Sequence, residues 1–281
     1  MIEYRVDLHC HTTCSDGSLS PIEVVHLAKK KGLSGLSITD HDTTEAYSSD
    51  IVPLCKELGI ELITGVEFSA MFEEHSVHIL GYGYQLHDPH IDALCAKHTA
   101  RRKERNGAIL DLLAKYKMPI TAEDIIAALP ETHSKEARTI GRPHIALAMV
   151  SKGYVGSIQE AFKKYIGEDR PCYSQGTPLG IDETIEAIHK AKGAAIIAHP
   201  HLLPNGKLLK ILLEMPFDGI ECYYGTFSPK DHKRWVKIAQ HRNWLITGGS
   251  DFHGTIKPNI ELGCSWIDET TFNTLRKFLQ S

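Results

Sequence analysis

The chain has 281 residues, 42% hydrophobic and 23% charged, which fits one large globular unit and excludes disordered, collagenous and membrane-spanning classes. Its net charge of −4, from 31 Lys and Arg against 35 Asp and Glu, gives no general attraction to duplex DNA or anionic lipid, so an anionic ligand needs a local site. The unusual number is 17 histidines, about 6% of the chain, because neutral imidazole is the commonest metal ligand near neutral pH.

In chain order, Val6-Asp7-Leu8 reads as a first strand. A helix follows, opened by the capping box Ser20-Pro21-Ile22-Glu23 and stopped at Gly32 behind Lys29-Lys30-Lys31. Further strands are expected at residues 35–38, 61–63 and 77–80. From 91 to 170 the pattern changes: residues 91–117, 122–129, 143–152 and 158–166 read as helices, with no strand among them. An amphipathic helix over 181–192 then leads to strands at 194–198, 219–220 and 245–246, and a helix over 272–279 closes the chain. This alternation predicts an α/β fold of βα units with parallel strands, built from residues 1–90 and 171–281 and interrupted by a helical insertion over 91–170.

Cysteines 10, 14, 55, 95, 172, 222 and 264 are odd in number and contain no C-x-x-C pair, which disfavours a disulfide framework or thiolate zinc site. Glu3, Arg5 and Asp7 stand where a signal segment would be apolar, and the longest apolar run, 194–198, is far too short to span a bilayer. A soluble cytoplasmic protein without a membrane partner is expected; oligomeric state is not legible.

The chemistry gathers at strand ends. In His9-Cys10-His11, after the first strand, residues two apart project to one side and can converge on one ion. Asp40-His41-Asp42 follows the second strand, Glu67 the third, His78 lies in the fourth, and His199 and Ser250-Asp251-Phe252-His253 follow later ones. The C-terminal ends of parallel barrel strands open on one face, so these residues would meet there. Imidazoles and carboxylates without thiolates suit manganese, zinc or iron. Cys10 and Cys14 lie beside these residues but have no evident base, and packing roles are expected for them.

Asp7-Leu8-His9-Cys10-His11-Thr12, Ser15-Asp16-Gly17, Thr39-Asp40-His41-Asp42, Gly65-Val66-Glu67, Val77-His78-Ile79-Leu80-Gly81-Tyr82, Ala198-His199-Pro200 and Gly249-Ser250-Asp251-Phe252-His253 together resemble the PHP (polymerase and histidinol phosphatase) family. The resemblance implies a distorted barrel of seven βα units holding two or three divalent ions, Mn²⁺ foremost, for phosphoester hydrolysis. Carried over, His9, His11, Glu67 and Asp251 would hold one ion. Glu67 would bridge to a second with His78 and His199, and Asp16, His41 and His253 would hold a third. Asp16, His41, Glu67 and Asp251 are thereby the expected catalytic set, with His201 and Glu221 behind it. The chemistry fits independently: adjacent cations neutralise phosphate oxygens and lower the pKa of bound water.

Lys97, Arg101, Arg102, Lys103 and Arg105 against Glu104 give a net +4 within nine residues, with Arg101 and Arg105 one helical turn apart. Arg142 in Gly141-Arg142-Pro143-His144-Ile145-Ala146 stands just ahead of a helix opened by Pro143, where a guanidinium and backbone amides can share a phosphate. This string and the helical insertion resemble the PHP branch that removes the 3′-phosphate of 3′,5′-nucleoside bisphosphates and trims short 5′-phosphorylated RNA. There, Arg101, Arg102 and Arg142 would grip the second phosphate. His144 would either contact substrate or cap its helix. The competing readings are a histidinol-phosphate phosphatase, a polymerase-associated module, and a metal-loaded binding protein without turnover.

Overall fold

The computed structural model describes residues 3–47, 50–129, 139–203 and 206–280. Strands β1 (Val6–Asp7), β2 (Gly35–Leu36) and β3 (Glu61–Leu62) pair in parallel, connected by helices α1 (Pro21–Lys30) and α2 (Ile51–Leu58). The α1 capping box forms as expected: Ser20 Oγ accepts from the Glu23 amide, and the Glu23 carboxylate accepts from the Ser20 amide. Strands β4 (Gly65–Phe72), β5 (His75–Tyr82), β6 (Ala194–Ile197), β7 (Gly219–Tyr224) and β8 (Leu245–Gly249) form a second sheet in that order.

The all-parallel expectation needs correction here. β4 and β5 are an antiparallel hairpin, β5 and β6 are also antiparallel, and only β6, β7 and β8 run in parallel. Glu67 therefore lies inside a strand of its own, β4, rather than in a loop after β3. Backbone contacts join the sheets at both edges. On one side the Leu8 amide donates to Gly248 O at 3.2 Å, the Asp251 amide donates to His9 O at 2.7 Å, and Cys10 bridges Phe252. On the other, His41 bridges Glu67.

Between β5 and α7 (Ile181–Lys190) come α3 (Pro89–Lys115), α4 (Ala122–Ala128), α5 (Arg142–Ser151), α6 (Ile158–Ala161) and a π-helical turn, Phe162–Ile166. α3 spans two cores. Its Ile91 and Leu94 pack with Val66, Phe68 and Ile79 of the hairpin, whereas Ile109 and Leu113 pack with Ile145, Met149 and Ile166. The rest is α8 (Gly206–Glu214), α9 (Pro229–Arg242) and α10 (Glu269–Leu279). Among the described residues no helix is long and apolar enough to cross a membrane.

Candidate active site

Glu67, 1% exposed, is the centre around which the imidazoles collect. Its Oε1 lies 2.8 Å from both His78 Nδ1 and His199 Nε2. Its Oε2 lies 3.4 Å from His9 Nε2, 3.1 Å from His11 Nε2 and 3.2 Å from His41 Nδ1. Asp251 Oδ1 is 3.5 Å from His9 Nε2 and 3.3 Å from His11 Nε2. Asp16 stands between His253 Nε2, at 3.3 Å, and His41 Nε2, at 3.9 Å. All nine residues expected at a metal centre thus come together. One detail differs from the resemblance: His11 also faces Asp16, its Nδ1 3.7 Å from Oδ1, so His11, Asp16, His41 and His253 form one group.

The donor set fits divalent ions. His9 Nε2, His11 Nε2 and His41 Nδ1 are buried and have no hydrogen-bond partner among the described residues, and they converge with Glu67 and Asp251. Orphaned ring nitrogens are costly in a dry interior, and a cation answers several at once. Without an ion the carboxylates must be balanced by protons. Burial lowers the His11 pKa, but the nearby carboxylates of Asp251 and Glu67 outweigh it and push the ring up to about 9. His9 is likewise raised, burial being overcome by Glu221 and Glu67. For His41 and His253 burial wins and the shift is downward.

A surrounding layer fixes these groups. Glu221, buried within β7, pairs its Oε1 with His9 Nδ1 at 2.8 Å, and its Oε2 accepts from the His199 amide at 2.7 Å. Asp40 accepts from the Thr12 amide at 2.7 Å and from Ser15 Oγ at 2.5 Å, holding the loop that carries Asp16. Tyr224 Oη donates to Asp251 Oδ2 at 2.5 Å and Lys257 Nζ to the same atom at 2.6 Å, which turns Oδ1 toward the imidazoles. Asp42 (φ 58°), His199 (φ 24°) and Asp251 (φ 58°) adopt left-handed backbone that disfavours side chains, strain typical of functional loops. Gly249 is required by crowding, since a Cβ there would lie 2.3 Å from the His9 amide.

One open cleft of about 590 Å³ joins Asp16, His41 and His78 to Arg101, Arg102, Arg105 and Arg142. Arg102 Nε donates to Asp42 Oδ2 at 2.6 Å, and Arg101 donates to Ser69 O at 2.6 Å. Arg142, the first residue of α5, lies over the Tyr173 and Phe162 rings at 5.4 and 5.7 Å. Among the described residues no carboxylate approaches Arg101, Arg105 or Arg142 within ion-pair distance. Burial and the neighbouring guanidiniums lower the Arg105 pKa, and its Nε and Nη2 are buried without partners. His144 Nδ1 accepts from the Gly141 amide at 3.0 Å, the capping alternative for this residue. Lys97 pairs with Glu183, away from the cleft.

Sequence reasoning placed Arg105 in the basic run but not in the grip, although its spacing from Arg101 was the available signal. Tyr224 and Lys257 carried no signal, because the end of β7 and the loop after β8 bring them to Asp251 only in the folded chain. Cys10 is buried, its thiol pushed well up by desolvation, and donates to Ser37 O at 3.4 Å, which suits packing.

A family model of the PHP domain matches residues 7–195. A 5′-3′ exoribonuclease of Haemophilus influenzae is 34% identical over 269 residues, covering 94% of this chain and 92% of that protein. A 3′,5′-nucleoside bisphosphate phosphatase of Chromobacterium violaceum is 30% identical over 254 residues, covering 89% and 87%. A crystal structure from Bifidobacterium adolescentis, described as a metal-dependent phosphoesterase, superposes with a TM-score of 0.86 at 32% identity, over 97% of this chain and 96% of that one. With its histidine and carboxylate motifs gathered at one face and these relatives spanning nearly its whole length, the chain belongs to the PHP domain family.

Proposed function

We propose that this protein is a divalent-metal phosphoesterase that removes the 3′-phosphate of 3′,5′-nucleoside bisphosphates and trims short 5′-phosphorylated RNA from its 5′ end. The observation that carries the reading is the shared cleft, with two imidazoles and the Asp16 carboxylate at one end and four guanidiniums at the other. Arg101, Arg105 and Arg142 have no carboxylate partner among the described residues; like charges so placed repel one another, and a phosphate dianion among them relieves that repulsion. Once the 5′-phosphate sits on the arginines, the 3′-phosphate of the same nucleotide lies toward Asp16, His41 and His78. The relatives named as an exoribonuclease and a bisphosphate phosphatase support this reading.

His9, His11, Glu67 and Asp251 would hold one ion, Glu67, His78 and His199 a second, and Asp16, His41 and His253 a third. Nitrogen and oxygen donors suit Mn²⁺, with Zn²⁺ and Fe²⁺ the other candidates. When bound, the ions supply charge neutralisation and an acidified water. Glu67, Asp16, His41 and Asp251 face the reacting phosphate. Arg101, Arg102, Arg105 and Arg142 orient the nucleotide, while His144 positions Arg142 by capping its helix turn. In this division residues 1–90 and 171–281 carry the ion site, and 91–170 supplies the grip. Hydrolysis forms a bond from the water oxygen to phosphorus and breaks the bond from phosphorus to O3′, giving the 5′-nucleotide and phosphate. The free cysteines fit work in the reducing cytoplasm.

The test is kcat/KM with Mn²⁺ for 3′,5′-bisphosphate, 5′-AMP, histidinol phosphate and 5′-phosphorylated oligoribonucleotide at one salt concentration. The bisphosphate should lead, and Arg142→Ala should lose more on it than on p-nitrophenyl phosphate. Histidinol phosphate carries one phosphate and an amine that the guanidiniums repel; if it is the best substrate, the histidinol-phosphate reading replaces this one.

A further inference from the structure

The arginine grip fixes one end of an RNA substrate, so the strand continuing past the scissile phosphate must leave over another edge of the cluster. His199 and Asp251 form such an edge. Tyr224, buried, bonds Asp251 through its hydroxyl, and its ring centroid lies 5.9 Å from that of His199. Next to it stands His201, an exposed ring whose centroid is 4.6 Å from Tyr224 and 4.3 Å from Phe227. Two flanking rings fix its orientation, so it offers a rigid aromatic surface to solvent.

Helix α9 begins beside this patch. Lys230, Lys233, Arg234 and Lys237 fall at i, i+3, i+4 and i+7, a single helical face, and all four are exposed. The one acidic residue of α9, Asp231, is tied to Ser228 Oγ and the Ser228 amide as a cap. Arg234 and His201 line one open hollow of about 530 Å³, together with Trp235 and the capping Asp231. An aromatic surface next to a basic track is what single-stranded nucleic acid uses, the base stacking and the phosphates following the charge.

We propose that His201, backed by Tyr224 and Phe227, stacks the base of the nucleotide on the 3′ side of the scissile phosphate, and that the basic face of α9 holds the phosphates beyond it. This rests on the phosphoesterase reading above and deepens it. A mononucleoside bisphosphate has no residue to place there, so the patch acts on oligonucleotides alone and sets the preference between the two substrate lengths.

The experiment measures kcat/KM on 3′,5′-bisphosphate and on a 5′-phosphorylated tetraribonucleotide for wild type, His201→Ala, His201→Tyr and Lys233→Gln/Lys237→Gln. His201→Ala should lose at least about fivefold on the RNA, with the bisphosphate within about twofold, and His201→Tyr should recover the RNA rate. The lysine pair should flatten the salt dependence of RNA KM by about 0.7 log unit per lost phosphate contact. Equal loss on both substrates, or no loss on RNA, overturns the proposal. A wild type that hydrolyses the bisphosphate but not RNA also overturns it and leaves the phosphoesterase reading intact. A wild type inactive on both, with metal bound, sinks both.

Discussion

Arg105 is 7% exposed, leaves Nε and Nη2 without partners, and sits among three other guanidiniums. A buried donor left unpaired costs about 1–3 kcal/mol, more when charged, so this residue opposes folding unless an anion joins it. Arg105→Met keeps most of the packing volume and removes the charge. In phosphate-free buffer the variant should melt above the wild type by about 2–4 °C for each kcal/mol recovered. It should also gain less than the wild type on adding inorganic phosphate, and its kcat/KM on the bisphosphate should fall. A variant that melts lower without phosphate would make the guanidinium a structural group. Differential scanning calorimetry with and without phosphate separates the two cases. Its place in α3 was legible from the spacing Arg101 to Arg105; its lack of a counter-ion was not, because that depends on which carboxylates the fold keeps away.

The β4–β5 hairpin decides whether a site exists at all. Glu67 lies opposite Leu80, Ser69 opposite His78 and Met71 opposite Ser76, so Glu67, Ser69, Met71, Ser76 and His78 share one face. Slipping the register by one residue would put Glu67 and His78 on opposite faces and take one of them away from the other histidines. The register is set by the tight turn at Glu73-Glu74, where Glu73 has φ 53°. Glycine favours that conformation at no steric cost, so Glu73→Gly should stabilise the protein by about 1 kcal/mol with turnover unchanged, read from a urea melt and an initial rate. A destabilised variant would show that the Glu73 side chain makes up for its strain. The hairpin is also where sequence reading failed. Periodicity reveals strand segments but carries no direction, and a Glu-Glu turn lacks the Asn-Gly or Asp-Gly signature that marks a chain reversal. The helices of 91–170 were legible almost to the residue, because caps and Pro or Gly stops are local features.

For the whole molecule, the ion and the proton compete for the same nitrogens. His11 is raised in the folded, ion-free protein to about 9 from an ordinary 6.5. A group raised on folding adds stability that is complete below about pH 6.5 and lost as pH rises through about 9. The ion needs the unprotonated ring, so the melting-temperature gain on adding Mn²⁺ should grow from pH 6.5 to 9, with proton release detectable by calorimetry in buffers of different ionisation enthalpy. A gain independent of pH would place the ion away from His11. The strand-end placement that brings these rings together was legible in the sequence because nearly every ligand candidate follows or lies within an apolar run; Asp16, in the Ser15-Asp16-Gly17 loop, came only from the resemblance. The bond from the Asp251 amide to His9 O joins the two ends of the chain. His11 and Asp251 are 240 positions apart, roughly 10–50 s of translation at about 5–20 residues per second. Until that seam closes, a nascent chain lacks Asp251 and His253, so two of the three ligand groups are incomplete. Ions that need Asp251 or His253 would therefore be taken up only after the ribosome has finished with residue 253, from whatever ions the finished protein meets.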